Sequence, residues 1–280
     1  MTDIPLRIIV TTLNEENRIE GCLHSIGDLA PVYVVDSHSR DNTVNRARNF
    51  NASVILFDWN GKYPKKRQWC LDNLDLGDRW VLFVDADERL SGNLKQEIRD
   101  IFEHGPGCDG YFIRARYRIK GEVCRFGVEN RKLVLFNPAK LAFPEINDLD
   151  CPGMGEIEGH YQPVASDQYR PVRLGTLKHH MVHLALEDRS AWQDRHIRYA
   201  RWAACMDAKD AWPNDPSFIR QTMKNLLNVL PARAVWVFVY SYILKLGFLD
   251  GKRGFELAWS RAEYYRLINR EKARRKADGH

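Results

Sequence analysis

The sequence lacks several motifs that would have narrowed the range of its possible functions. It has no C-x-x-C pair and no cysteine–histidine spacing typical of a zinc site. Its N-terminus shows no charged leader followed by an apolar stretch and a small-residue cleavage site, so a secretory signal is not expected. Scattered cysteines of this kind are typical of reduced thiols in a cytosolic protein, and we expect all six to be free. They are Cys22, Cys70, Cys108, Cys124, Cys151 and Cys205.

Charge also excludes little, because the 280 residues carry 42 lysines and arginines against 37 acids, a net charge of +5. This balance suits acidic small ligands or an anionic membrane surface. The basic residues gather in the C-terminal tail, without a stacked-aromatic platform, so we expect no nucleic-acid partner. A hydrophobic content of 44% is ordinary for a globular chain.

The first hundred residues alternate between short apolar runs and helical patterns. Runs at 6–12, 31–37, 52–59 and 79–87 predict strands, and helical spacing follows at 17–29, 41–50, 65–74 and 92–102. This rhythm predicts βαβ units and a parallel sheet, with ligands beyond the carboxyl ends of the strands. Polar residues end each run, and together they predict one pocket: Thr11, Thr12, Asn14, Glu15, Asp36, Ser37, Asp58, Asp85 and Asp87.

The acids after the fourth run indicate a metal site. In a continuous strand, Asp85 and Asp87 point to the same side and repel one another unless a cation lies between them. Mg²⁺ or Mn²⁺ carrying a nucleotide's phosphates would resolve this conflict. His183 could complete the metal shell through its imidazole. The alternatives are a solvated strand end that caps the next helix and a histidine with a structural role.

The pattern of apolar and polar residues changes after residue 105. Stretches 110–122, 132–138 and 172–184 alternate like antiparallel strands, and the stretch 143–163 between the last two is a loop rich in glycine, proline and acids. From residue 187 the pattern is helical. We therefore predict a domain over 1–185, with halves 1–105 and 106–185, and a helical C-terminal region over 186–280.

Three motifs, "IIVTTLNEE", "VVDSHSRDNT" and "VLFVDADE", resemble in order and spacing the family 2 inverting glycosyltransferases of the GT-A fold. The resemblance is nearest to bacterial enzymes that extend lipopolysaccharide cores or lipid-linked glycans, and "GFLDGKRGFELAWSRAEYYR" is similar to their tail. It implies an α/β fold with a mostly parallel sheet, an antiparallel second half and a helical C-terminal extension.

The same resemblance assigns donor-binding residues. The nucleotide base would be held by the end of the first strand and by the aspartate of the second, where its carboxylate accepts the uracil imide N–H. Arg67, or else Lys66, would face the diphosphate, the alternative being a solvated basic helix start. His38 stands where the family usually has glycine, which puts the loop shape in question. The donor-binding set is Thr11, Leu13, Glu15, Asp36, Lys66, Arg67, Asp85 and Ala86.

An inverting transfer needs one general base for the acceptor hydroxyl, and the family takes it from a loop after the donor half. That loop offers Glu145, Asp148, Asp150, Glu156 and Glu158. We predict Glu158 as the base, followed by Glu156 and Asp148. A structural loop acid is the alternative for each.

These features predict metal-dependent transfer of a sugar, UDP-hexose by default, to a lipid-anchored glycan such as lipopolysaccharide core. A sugar nucleotidyltransferase should show a glycine-rich loop after the first strand, and "TTLNEENR" has none. A non-catalytic, membrane-associated nucleotide-binding protein is the other alternative.

The stretch 234–249 predicts a helix that either lies on a membrane, beside the basic tail, or packs on the core. It is short of the roughly 20 residues that span a bilayer. The expected location is cytoplasmic, peripheral on the inner face of the cytoplasmic membrane.

Overall fold

The computed structural model describes residues 4–159, 161–166, 168, 171–184, 186, 188–229 and 232–278. The chain divides into two compact units. The sheet unit comprises Met1–Arg116, Asn130–Phe143 and Gln162–Leu184. The helical unit comprises Tyr117–Glu129, Pro144–Tyr161 and Ala185–His280. Two stretches that lie within the predicted first domain, 117–129 and 144–161, therefore group with the C-terminal helices.

The first half of the sheet unit is a parallel βαβ series, as the alternating pattern predicts. Strands β3, β2, β1 and β4 lie side by side in that order, and every pairing among them is parallel. The inner strands are buried because apolar residues cover both faces, as in Ile8–Val10 and Val81–Val84. The elements are β1 Leu6–Thr12, α1 Ile19–Ile26, β2 Val32–Asp36, α2 Thr43–Arg48, β3 Ser53–Leu56, α3 Lys66–Asn73 and β4 Trp80–Asp85.

The second half of the sheet is mostly antiparallel. Beyond β4 the order continues β8, β6, β11 and β5, with β7 paired to β6, while β9 and β10 form a separate two-stranded sheet. The predicted α/β class with a parallel and an antiparallel half is confirmed, but the short strand β5 was not expected. The elements are β5 Glu88–Leu90, α4 Gly92–His104, β6 Gly110–Ile119, β7 Glu122–Val123, β8 Asn130–Phe136, β9 Leu141–Ala142, β10 Val164–Ala165 and β11 Leu174–His183.

The helical unit is built around two long helices. These are α5 Arg189–Lys209 and α8 Gly251–Ala277, with the shorter α6 Phe218–Val229 and α7 Arg233–Val239 between them in sequence. Helices α5 and α8 pack together, and charged side chains link them: Asp207 lies 2.5 Å from the Nζ of Lys272, and Arg189 pairs with Glu263. The helical C-terminal region is thus as predicted.

The single helix predicted over 234–249 is wrong. After α7 the chain makes one π-helical turn, Tyr240–Leu244, and then a 3₁₀ turn, Gly247–Asp250. Leu246 between them has a left-handed backbone, with φ of 58°. The close approach of Gly247 to the Ser241 carbonyl explains the break, because a Cβ at residue 247 would lie 2.7 Å from that oxygen.

Bilayer-spanning length is not reached by any one helix in the described ranges. Arg233–Leu244 and Gly247–Ala277 satisfy the length and composition requirement only when taken together, and the two are bent by 71° relative to one another.

One stripe of α5 holds the acid-rich loop 144–161 in place. The indole Nε1 of Trp202 donates to Asp148 at 2.9 Å, and Lys209 donates to Asp150. Between these contacts, Cys205 forms a disulfide with Cys151, with the two sulfurs 2.08 Å apart. The prediction that all six cysteines are free is therefore wrong for this pair, since 54 residues separate them in sequence and the fold alone brings them together. The other four form no disulfide.

Gly153 marks the tightest contact between this loop and α5. Its φ is 121°, and a Cβ there would lie 2.1 Å from the carbonyl oxygen of Arg198. The stripe therefore begins at Arg198 and continues through Trp202, Cys205 and Lys209, at helical spacing.

We expect Gly153→Ala to lower the free energy of unfolding by about 3 kcal/mol or more, because strained backbone and a steric clash add together. Gly121→Ala is the matched control in the same unit, since Gly121 also has a positive φ, 79°, but has open space at its Cβ. It should cost only about 1 kcal/mol. Urea denaturation of both variants measures the difference, and equal losses would show that the loop does not pack on α5 in this way.

Candidate functional site

Asp36 is the centre of a hydrogen-bonded cluster at the carboxyl ends of β1 and β2. Its side chain is fully buried and accepts hydrogen bonds from the hydroxyl of Thr12 at 2.7 Å and from the backbone N–H of Ser39 at 2.7 Å. The hydroxyl of Ser39 donates as well, at 2.5 Å. Asp36 thus orders the loop that follows β2, and its predicted contact with the nucleotide base stays a prediction.

His38 shows why the loop after Asp36 tolerates a residue other than glycine. Its φ is 58°, in the left-handed region that glycine usually occupies. The imidazole Nε2 lies 2.7 Å from a carboxylate oxygen of Asp58, which follows β3. The side chain therefore adds a contact that glycine could not make, in a backbone conformation that glycine would adopt more readily.

The remaining residues predicted for the base lie around the end of β1. Thr11 is the register partner of both Val35 and Asp85. Leu13 is 45% exposed, just beyond the strand. The backbone N–H of Glu15 donates to the hydroxyl of Thr43 at 2.8 Å, and its carboxylate accepts from Arg18 at 3.0 Å. The structure brings these residues to one edge of the sheet, as the sequence predicts.

The basic start of α3 is not a solvated helix end. Lys66 is buried, and its ammonium donates to the backbone oxygen of Thr12 at 2.8 Å and to the hydroxyl of Ser37. Arg67 donates to Asp85 at 2.9 Å. The solvated alternative is therefore wrong for both residues, and α3 places two cations at the ends of β1 and β4.

A lysine that the sequence analysis did not single out completes the cluster. The ammonium of Lys132, on β8, lies 2.6 Å from a carboxylate oxygen of Asp85 and 2.6 Å from one of Glu88. The other Glu88 oxygen accepts the backbone N–H of Asp85 at 3.0 Å. Glu88 is fully buried, whereas the side chain of Asp85 remains 32% exposed. Asp85 is thus the member of this cluster that a ligand can reach.

The protonation states of Asp85, Glu88 and Lys132 depend on burial and on the opposite charges beside them. Burial disfavours the Asp85 carboxylate, but Lys132 and Arg67 outweigh it and hold the pKa of Asp85 well below its usual range. Burial likewise disfavours a charged Lys132, yet Asp85 and Glu88 raise its pKa above the ordinary lysine value. Burial raises the pKa of Glu88, with Lys132 opposing that shift. The Asp85–Lys132 pair is therefore ionised.

Asp87 does not continue the strand that ends at Asp85. Residues 86 and 87 form a turn, so the continuous strand from which we predicted that Asp85 and Asp87 point to the same side is not observed. Asp87 is buried, and one of its carboxylate oxygens lies 3.3 Å from the Nε2 of His183 on β11. The turn is held by Arg89, whose guanidinium donates to the Ala86 carbonyl at 2.9 Å and to that of Arg18 at 2.8 Å.

Asp85 does not fit a divalent cation as its carboxylate is arranged. Both oxygens of Asp85 already face cations, Arg67 on one side and Lys132 on the other. Within the described ranges, no three histidine, cysteine, aspartate or glutamate side chains come together as a metal site. We predicted Mg²⁺ or Mn²⁺ at Asp85, Asp87 and His183 because the carboxylates would repel one another. Here the protein's own cationic side chains relieve that repulsion at Asp85.

The candidate bases belong to the helical unit. Asp148 is buried against α5 and accepts the Trp202 indole N–H. Glu158 is also buried, at 3% exposure, and Glu156 is half-buried. Asp150 is exposed, and its hydrogen bond from Lys209 lowers its pKa. The choice of Glu158 over Glu156 and Asp148 stays a prediction, although Asp148 has an evident structural task.

Comparison with known proteins supplies the family. The model of the family described as Glycosyl transferase family 2 matches residues 7–148, about half of the chain. This range contains β1 from its second residue, β2 to β4, the loop after Asp36, the turn at residues 86 and 87, and Lys132.

Individual relatives match over shorter stretches. An uncharacterised glycosyltransferase of Rickettsia typhi is 39% identical over 94 residues, which cover 33% of this chain and 31% of that protein. The lipopolysaccharide core biosynthesis glycosyltransferase LpsC of Rhizobium meliloti is 25% identical over 118 residues, 40% of this chain and 43% of that protein. The matched region thus spans less than half the length of either relative.

A solved structure with a similar part is that of glucosyl-3-phosphoglycerate synthase from Mycobacterium tuberculosis, in complex with Mn²⁺, UDP and glucosyl-3-phosphoglycerate. It is 24% identical, covers 41% of this chain and 44% of that chain, and has a TM-score of 0.31. At that score the likeness supports no conclusion about this site.

We expect Asp148→Ala to lower the free energy of unfolding by about 2 kcal/mol, because the buried Trp202 N–H would lose its acceptor. Asp148→Asn keeps an acceptor oxygen and should lose less. Denaturant unfolding followed by tryptophan fluorescence compares the two. If both variants were as stable as the parent, the Asp148–Trp202 hydrogen bond would contribute nothing to the fold.

Proposed function

This chain belongs to glycosyl transferase family 2, and on that premise we propose that it transfers a hexose from a nucleotide-sugar donor, a UDP-sugar by default, to a hydroxyl of a lipid-anchored glycan with inversion. The observation that carries this proposal is the convergence of Asp36, Lys66, Arg67 and Asp85 at the carboxyl ends of β1, β2 and β4. That edge is where open α/β sheets bind nucleotides.

The charges of this cluster suit a leaving nucleoside diphosphate. Arg67 presents a planar guanidinium, which pairs well with phosphate, and Lys132 stays charged despite its burial. Fixed cations at the place where negative charge develops stabilise a transition state. The reaction is a single displacement: the acceptor oxygen bonds to the anomeric carbon as the diphosphate oxygen leaves, and a loop carboxylate, Glu158 in our assignment, takes the hydroxyl proton.

A lipid-anchored acceptor is supported by one relative and by the exposed apolar surface of the helical unit, which is described below. LpsC is named for lipopolysaccharide core biosynthesis.

The family assignment favours glycosyl transfer over nucleotidyl transfer, and the loop after β1 lacks the glycines that nucleotidyl transfer would need. A non-catalytic nucleotide-binding role would leave the same donor cluster without transfer, so the assay below separates the two.

We expect the protein to bind one of UDP, GDP and dTDP in calorimetric titrations and to hydrolyse or transfer the matching nucleotide-sugar. Glu158→Gln should keep donor binding and lose transfer by about a hundredfold or more, because only the base is removed. Glu103→Gln, on the exposed side of α4, is the matched control. Full activity of Glu158→Gln with loss in Glu156→Gln would move the base to Glu156, and binding of no nucleotide would overturn the proposed function.

We further propose that the helical unit attaches to an anionic membrane surface on the cytoplasmic side. Large apolar side chains in α7, α8 and the turns between them stay exposed, in one stretch of about 25 residues. They are Val235, Trp236, Ile243, Leu244, Leu246, Phe248, Leu249, Phe255 and Trp259. Arg266 stacks over Trp259, 4.5 Å from the ring centroid, and exposed basic residues continue along α8. Aromatic and aliphatic side chains beside cations favour a bilayer interface with acidic lipid.

Vesicle co-sedimentation tests this surface. We expect binding to vesicles of phosphatidylglycerol and phosphatidylcholine, little binding to phosphatidylcholine alone, and release by high salt. Trp236→Ser/Leu244→Ser should weaken binding by about tenfold or more, whereas Phe50→Ser, which changes a similarly exposed residue of the sheet unit, should not. Unchanged binding of the double variant would remove this surface from the proposal.

A further inference from the structure

Asp85 and Glu88, on either side of the turn at residues 86 and 87, already have a cation between them. Lys132 lies 2.6 Å from Asp85 and 2.6 Å from Glu88, and its side chain is only 14% exposed. Arg67 covers the second oxygen of Asp85 at 2.9 Å. A single ammonium thus bridges two carboxylates, one of which, Asp85, we predicted as a ligand of the divalent ion.

We propose that Lys132 acts as a resident substitute for the divalent cation, so that the nucleotide binds at this turn without metal. The proposal rests on the proposed function for the identity of the ligand, a nucleoside diphosphate. It follows from the fit of the donor set, in which each Asp85 oxygen has a cationic partner and Glu88 has the same lysine.

Charge counting supports this inference. Asp85, Asp87 and Glu88 bring at most three negative charges, and Lys132 and Arg67 bring two positive charges within contact distance of Asp85 and Glu88. A Mg²⁺ or Mn²⁺ ion arriving at Asp85 would meet two cations at close range, and repulsion at low effective dielectric is strong. To bind there, the metal would have to displace Lys132 from Asp85, which would leave the buried ammonium with Glu88 as its one carboxylate of the two.

The strand pairing of β8 also helps to position Lys132 beside Asp85. Strands β4 and β8 pair antiparallel with Val81 opposite Phe136 and Leu82 opposite Leu135. Farther along β8, Lys132 is itself paired with Ile113 of β6. The lysine is therefore held by strand pairing as well as by its ion pairs, and it stands where Asp85 needs a counter-charge.

Two measurements on the full chain test the proposal. Mn²⁺ binding is followed by electron paramagnetic resonance with no nucleotide present, and UDP binding is followed by calorimetry in EDTA and in Mn²⁺. We expect the parent protein to bind no Mn²⁺ up to about 1 mM and to bind UDP equally well in both buffers. Tight Mn²⁺ binding by the parent, or UDP binding that disappears in EDTA, would overturn the proposal.

Lys132→Met should reverse this behaviour. With the ammonium gone, we expect Mn²⁺ to bind, and UDP binding to fall by about tenfold in EDTA and to recover in Mn²⁺. Glu88→Gln/Lys132→Met removes one carboxylate together with the lysine, and serves if the single variant fails to fold. Lys140→Met is the matched control, because Lys140 forms an equally short pair, 2.6 Å, with Asp109 away from the turn.

The two proposals fail in different ways. If the parent protein binds no nucleotide in either buffer, the proposed function fails, while the Mn²⁺ measurement still tests Lys132. If UDP binds only with Mn²⁺, the proposed function stands and the role of Lys132 is wrong. Failure of Lys132→Met and of the double variant to gain Mn²⁺ binding would also overturn that role.

Discussion

The sheet unit depends on the compensation of charge at the end of β4. Three carboxyl groups emerge there from strands whose cores are fully apolar, and without partners such groups would favour an open or protonated arrangement. Lys132 and Arg67 make the ionised form of Asp85 compatible with burial. Surface ion pairs contribute little to stability, but removing one partner of a buried pair is costly, about 3–5 kcal/mol. The turn at residues 86 and 87, the start of α3 and the pairing of β8 are therefore energetically linked.

The parallel half of the fold and much of the candidate site could be predicted from the sequence. The runs that became β1, β2 and β4 are apolar enough to be buried on both faces, and each ends in a residue of the candidate site, such as Thr12, Asp36 or Asp85. Parallel strands bring such ends together whatever their exact register. For that reason the convergence was predictable without knowledge of long-range contacts.

The counter-charge of Asp85 could not be found in this way. Lys132 lies 47 positions from Asp85, and only the antiparallel register of β8 decides that it faces the acidic turn. A shift of one residue would have turned it to the other side of the sheet. The Cys151–Cys205 disulfide and the break at Leu246 are similar cases, because each depends on a segment that is distant in sequence or on backbone contact at one glycine.

The stripe on α5 that holds the acid-rich loop has a consequence for how this chain can change. Arg198, Trp202, Cys205 and Lys209 each contact a different residue of the loop, so the loop and the helix pack as one module. The family match ends at residue 148, inside this loop, while its partners on α5 lie some 50 residues later. Grafting the loop of a relative onto this chain would leave four helix positions without their counterparts. Loop and helix would have to be exchanged together, and natural variation at one should be accompanied by variation at the other.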